Sequence, residues 1–77
     1  MTDAKNGIYS VGGSDYLTVE EPVCDGFHQD GAVYYAAAAF KNGDPDRRLY
    51  VLYWLVEGWN SERPNIDWEH PARAEEL

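Results

Sequence analysis

Four side chains that could bind a metal or act as a nucleophile lie in one short stretch: Cys24, Asp25, His28 and Asp30. Cys24 and His28 could supply two metal ligands, but a structural zinc site needs four, usually in two pairs. Cys24 is the only cysteine, and the only other histidine is His70. As a thiol and its base, the pair lacks an orienting partner. We therefore predict a plain loop cysteine and no metal site, with a small metal-binding protein that uses Cys24 and His28 as an alternative.

Two pairs of adjacent carboxylates, Glu20–Glu21 and Glu75–Glu76, are the remaining candidates for acid–base chemistry. Adjacent residues of a strand point to opposite faces, and a general acid and its base need two different environments. The stretch Gly12-Gly13-Ser14 lacks the spacing of a phosphate-binding loop, so we interpret it as a hairpin turn. The sequence therefore predicts a protein that is not an enzyme and has no catalytic residue and no cofactor.

The charge balance is strongly acidic: fourteen Asp and Glu side chains oppose six Lys and Arg, for a formal net charge of −8. The excess falls in residues 1–40 and 59–77, whereas residues 41–58 are balanced. Such a chain repels nucleic-acid phosphates and anionic membrane surfaces, and it attracts a basic protein surface. Solubility is the alternative explanation, because a net charge of this size is ordinary for small soluble domains.

These charges predict two acidic edges that bind a partner protein. The predicted partner-binding residues are Asp15, Glu20, Glu21, Asp25 and Asp30 on one side, and Glu62, Asp67, Glu69, Glu75 and Glu76 on the other. We expect a small non-enzymatic binding or inhibitor protein that engages a basic, nucleic-acid-binding surface of its partner. In the sharpest form of this hypothesis it is a DNA mimic, whose carboxylates stand where phosphates would bind.

In size, acidity and lack of a catalytic motif, the chain is similar to phage-encoded inhibitors of bacterial defence, including anti-CRISPR proteins. The similarity extends to no motif, and it implies inhibition by occupation of a nucleic-acid-binding groove. A self-associating assembly module, such as a homodimer, is the alternative function. It is suggested by the many aromatic residues, because a sheet that is apolar on both faces would leave one face open as an interface.

Residues 47–59 organise the predicted fold, because they contain the longest apolar run of the chain. As a strand, this run alternates between two apolar faces. As a helix, it would begin at Asp44-Pro45 and be apolar almost all round, which a chain of this length can hardly bury. We predict a strand, because residues 32–40 have the pattern of its hairpin partner.

Residues 32–40 contain four consecutive alanines, which favour a helix by propensity, but turn-forming residues bracket the segment. On a strand, the face of Ala36 and Ala38 would leave room for a bulky neighbour such as Trp54. A helix over residues 32–41 is the alternative.

The predicted fold is therefore mainly β, a single small domain spanning residues 1–77. It is an antiparallel four-stranded meander with strands at 7–11, 15–21, 32–40 and 47–57. Residues 1–6 are predicted to fray, and residues 71–77 to form a short C-terminal helix, or an extended clasp with Ile66 and Trp68, packed on the sheet. The single cysteine and the lack of a signal peptide or membrane-spanning run predict a soluble, cytoplasmic protein.

Overall fold

The computed structural model describes residues 7–77, in which all regular structure is β-strand. The strands are β1 (Ile8–Val11), β2 (Ser14–Thr18), β3 (Val23–Phe27), β4 (Val33–Lys41), β5 (Leu49–Leu55), β6 (Gly58–Asn60), β7 (Arg63–Asn65) and β8 (Arg73–Glu76). The segment that was predicted to fray, residues 1–6, lies outside the described residues. No described segment forms a helix with the length and apolar character that crossing a membrane requires.

The centre of the main sheet is the antiparallel pair of β4 and β5, which runs from Tyr34 opposite Leu55 to Phe40 opposite Leu49. The strand order is β1-β2-β4-β5-β8. The prediction of a strand within 47–57 is confirmed, and the alternative of a helix over 32–41 is wrong. Helix propensity of the alanines is outweighed because β4 lies between neighbours on both sides, where its backbone groups are paired.

Strands β2 and β3 lie one after the other along the same edge of β4. Thr18 of β2 pairs with Ala39, and Cys24 of β3 pairs with Tyr35 nearer the start of β4. Cys24 was predicted to lie in a loop, but it belongs to β3. A bulge at Gly26, where φ is +76°, interrupts the alternation that would have indicated a strand.

The predicted C-terminal helix is wrong, because Arg73–Glu76 forms β8 and pairs with β5. A helix this short has little stability of its own, whereas the edge of β5 offers unpaired backbone groups to an extended segment. The four predicted strands correspond to β1, β2, β4 and β5, and β3 and β8 bring the main sheet to six strands. Strands β6 and β7 form a separate two-stranded hairpin.

Directly opposed residues of an antiparallel pair point to the same face, so the register defines two faces of the main sheet. On the first, here called the covered face, Leu52 and Trp54 are fully buried. Ile66 and Trp68, which precede β8, pack against this core as the predicted clasp. The Trp54 indole N–H donates a hydrogen bond to the Trp68 carbonyl at 3.0 Å, which fastens the clasp to the sheet.

The prediction that Trp54 packs over the face of Ala36 and Ala38 is wrong. Trp54 lies opposite Tyr35 in the register, so it shares the covered face with Tyr35 and Ala37. The alanines do make room for the large ring, as expected, but on the other side of β4. Alternation alone does not say which face of one strand meets which face of the next, so the sequence left this choice open.

The second face, here called the open face, carries the residues that alternate with those of the core. Leu17, Leu49 and Leu55 belong to it, and all three are exposed. At the end of β5 near Tyr53, side chains from β8 and from the segment after β3 lie across the open face. They form the site described next.

Candidate binding site

Arg73 is the central residue of a cluster on the open face. Strand β8 places it opposite Tyr53, and its guanidinium carbon lies 4.7 Å from the ring centroids of both Tyr34 and Tyr53. Its Nε–H donates a hydrogen bond to the Glu75 carboxylate, and this bond is the largest cause of the raised pKa of Arg73. Two ring faces and one carboxylate therefore fix the position of this cation.

His28 links Arg73 to a second carboxylate. An Nη2–H of Arg73 donates to His28 Nδ1 at 2.8 Å, and His28 Nε2 lies 2.7 Å from Asp25 Oδ2. A guanidinium can only donate, so Nδ1 is the acceptor, and the Nε2–H group donates to the Asp25 carboxylate. Both imidazole nitrogens are therefore engaged by partners within the cluster.

Asp30 is held on the same face by Tyr34. The Tyr34 hydroxyl donates to Asp30 Oδ2 at 2.6 Å, and the Ala32 N–H donates to Oδ1 at 2.9 Å. The bond from Tyr34 is the largest cause of the lowered pKa of Asp30, and the same bond raises the pKa of Tyr34. Burial raises the pKa of the neighbouring Tyr53. Asp30 is thus kept ionised in a fixed orientation.

These residues border an open depression, here called the acidic depression. Its lining consists of Asp25, Phe27, His28, Gln29, Asp30, Arg73 and Glu75. The three carboxylates outnumber the one guanidinium, so the depression is net negative. Phe27 stands at its margin with 79% of its surface exposed. The depression therefore offers charge and an apolar ring to a ligand from outside.

The predicted partner-binding residues divide among several places in the fold. Asp25, Asp30 and Glu75 come together around the acidic depression, although Glu75 was assigned to the opposite edge from the other two. Glu20 accepts a hydrogen bond from the Ala38 N–H and fills the gap between β2 and β3. Asp15 accepts from the Ser10 hydroxyl on the first hairpin.

The remaining predicted carboxylates are exposed and lie outside this depression. Glu76 lies beside Arg48, which also contacts Asp46. Asp67 and Glu69 belong to the clasp that closes the covered face, and Asp67 contacts His70 at 2.8 Å. Glu21 follows β2, and Glu62 lies in the turn between β6 and β7.

The candidate pair of Cys24 and His28 is not brought together. Cys24 is a free, exposed thiol opposite Tyr35, a residue of the covered face. The His28 ring lies against Tyr34, with centroids 4.5 Å apart, on the open face. The two side chains therefore belong to different faces of the sheet.

A different group has the geometry to hold a cation. Potential ligand atoms of Asp67, Glu69 and His70 lie within 4.8 Å of one another, and all three side chains are exposed. The His70 nitrogen nearest to Asp67 is already in contact with that carboxylate. The three residues are neighbours in the sequence, but they were not predicted as a group.

Arg73, Tyr34, Tyr53 and Phe27 are the site residues that sequence reasoning missed. The alternation of Arg73 and Glu75 would have placed both on one face of a strand, but a helix was predicted there. No spacing signal connects residues 28, 34, 53 and 73, which only the sheet brings together. Comparisons with family models, with characterised proteins and with solved structures give no match to this chain.

Proposed function

We propose that this protein is a non-enzymatic binding protein that engages a basic surface of a partner protein, with the acidic depression as the contact. The observation that carries the proposal is the convergence of Asp25, Asp30 and Glu75 around one depression. The nearest cation, Arg73, is already engaged by Glu75, His28 and two aromatic rings. A Lys or Arg side chain from a partner would supply the missing positive charge.

The depression is suited to binding because its carboxylates are ordered before a partner arrives. Asp25 and Asp30 are held by His28 and Tyr34, so little side-chain freedom is lost on association. Phe27 adds an exposed ring next to them, and a guanidinium stacks well on such a face. The net charge of −8 draws a basic partner toward the site over a longer range.

In the sharper form of the proposal, the partner surface is one that binds nucleic acid, and the protein acts as an inhibitor that takes the place of the phosphates. The overall acidity supports this form, since a phosphate-binding surface is basic by necessity. The similarity to phage-encoded inhibitors in size and charge agrees with it. Competition between this protein and duplex DNA for the purified partner tests this step.

The experiment compares two matched double variants in capture of partners from a cell lysate at low ionic strength. Asp25→Asn/Glu75→Gln removes two charges from the acidic depression but keeps oxygen acceptors for His28 and Arg73. Asp67→Asn/Glu69→Gln likewise removes one aspartate charge and one glutamate charge, but from the clasp. We expect the first variant to lose captured partner at least about tenfold, since desolvated charge pairs at interfaces each contribute a few kcal/mol, and the second to stay within about twofold.

Two outcomes overturn the proposal. Equal losses in both variants would mean that only total charge matters and that the depression is not a site. Capture that is unchanged when salt is raised to about 0.5 M would exclude attraction between exposed charges, which that salt screens. If the purified partner binds duplex DNA equally well with and without the protein, the inhibitor form fails while the binding site stands.

A further inference from the structure

A continuous line of large apolar side chains crosses the open face, away from the acidic depression. Ile8 pairs with Leu17, Leu17 with Phe40, and Phe40 with Leu49. These four residues, here called the apolar row, therefore span β1, β2, β4 and β5 at one level of the sheet. Val51 follows Leu49 on the same face of β5.

The apolar row is accessible to solvent to a degree that a sheet face in water rarely is. Ile8 is 67% exposed, Leu17 49% and Leu49 37%. With Val19 and Val23 on the same side of β4, the exposed area of this side of the face reaches roughly 500 Å², within the range of the largest patch on a typical monomer. In an antiparallel sheet that faces water, these positions would be polar.

The chemistry of the row differs from that of the acidic depression, so the same partner does not suit both. None of its four members carries a charge. Arg47 lies over the Phe40 ring, with its guanidinium carbon 5.5 Å from the ring centroid. A basic surface placed on this row would lose hydration without gaining a counter-charge, which is costly. A flat apolar sheet face is best matched by another sheet face, packed about 10 Å away.

We propose that two copies of this chain pack open face against open face through the apolar row, as a twofold dimer. The area is compatible with a weak, reversible dimer, because roughly 500 Å² from each copy gives about 1,000 Å² in total, the least that a specific interface buries. A twofold contact joins a patch to itself, and a row whose own four side chains are uncharged suits such a contact better than the acidic depression does. The dimer does not require the proposed basic partner, although both contacts lie on the open face.

Sedimentation equilibrium on the full chain, at concentrations from about 10 to 200 μM, tests the dimer at two salt concentrations. We expect a mass approaching twice 8.7 kDa for the unaltered chain. Association should strengthen on going from about 0.05 to 0.5 M salt, because salt screens repulsion between two chains of net charge −8. Binding to a basic partner has the opposite salt dependence, so the two proposals fail separately.

Leu17→Lys is the variant that interrupts the row, and Trp59→Lys is its control. Both replace an exposed apolar side chain, and both make the chain less negative by one charge, which by itself would favour association. Leu17→Lys should weaken self-association at least about tenfold, since a buried leucine contributes more than 1.4 kcal/mol. Trp59→Lys should associate as the unaltered chain does. Circular dichroism verifies that both variants fold.

A monomer throughout the concentration range, at either salt, overturns the proposal. So does a dimer that Leu17→Lys leaves intact, because its interface would then lie elsewhere. A folded Leu17→Lys chain that is monomeric beside a dimeric Trp59→Lys chain supports the row as the interface.

Discussion

The covered and open faces of the main sheet are built from the same strands, yet they differ in what lies over them. The clasp of Ile66 and Trp68 closes the covered face, where Leu52 and Trp54 have no exposed surface. On the open face, the cluster around Arg73 covers one end, and the apolar row is exposed at the other. A strand that is apolar on both sides thus supplies a core on one side and a surface for contacts on the other.

Two leucines of β5 give the sharpest test of this difference. Leu52→Ala removes a fully buried side chain from the covered face and should lower the free energy of unfolding by about 3 kcal/mol, the usual cost of a core cavity. Leu49→Ala makes the same change on the open face, where the residue is 37% exposed, and should cost less than about 1 kcal/mol. Urea titration at low protein concentration measures both.

Low concentration matters because a dimer through the apolar row would add to the effect of Leu49→Ala. If the two variants lost equal stability in dilute solution, the distinction between the faces would be wrong. If the loss in Leu49→Ala grew with protein concentration while that in Leu52→Ala did not, the open face would be an interface.

The clasp makes the covered face a core, so loss of the Trp68 side chain should lower stability more than loss of an exposed tryptophan. Trp68→Ala removes the ring that lies 5.7 Å from those of Tyr35 and Trp54, and should cost about 2–3 kcal/mol, somewhat less than a wholly buried ring. Trp59→Ala, on the outer hairpin, should change stability by less than about 0.5 kcal/mol.

Thermal unfolding followed by circular dichroism compares the two tryptophan variants. In Trp68→Ala, emission from Trp54 should also move to longer wavelength, because its ring gains access to water. A Trp59→Ala loss as large as that of Trp68→Ala would show that the hairpin, and not the clasp, supports the core.

The sequence predicted the centre of the fold because alternation is a local signal. Strands β4 and β5 are apolar on both alternating faces, and turn-forming residues bound each of them, so both strands were predicted. Strand β8 was missed, since its extended form depends on the edge of β5, about twenty residues earlier in the chain. Strand β3 was missed because the bulge at Gly26 interrupts its pattern.

The candidate site was less predictable than the fold. Asp25, Asp30 and Glu75 were recognised as partner-binding candidates from charge alone, but their convergence depends on pairing between distant strands. The ring contacts of Arg73 with Tyr34 and Tyr53 combine three strands, and no spacing along the chain reports them. The open face itself was predicted only in general terms, as one apolar face of the sheet that is left open as an interface.

The open face should also make stability sensitive to acid. The pKa of Asp30 is lowered chiefly by the hydrogen bond from Tyr34. This carboxylate therefore stabilises the fold at pH values above its pKa in the unfolded chain, which is near 3.8. That contribution is lost as the pH falls through the folded-state pKa. Tyr34→Phe removes the bond, so its melting temperature should fall less than that of the unaltered chain between about pH 6 and pH 3. Parallel curves for the two chains would contradict the assignment.

The clasp should respond to pH in the opposite direction. The pKa of His70 is raised from 6.5, first by its hydrogen bond to Asp67 and by the charge of that residue, and last by the charge of Glu69. A raised pKa stabilises the fold at pH below the unfolded value, and the contribution is lost as the pH rises through the folded-state pKa. An NMR titration of the His70 ring should show a lower pKa in Asp67→Asn, and a smaller decrease in Glu69→Gln. Equal decreases would mean that the general negative charge of the clasp controls His70. A larger decrease in Asp67→Asn would mean that a specific bond does, so that the clasp, like the acidic depression, orients its carboxylates through individual contacts.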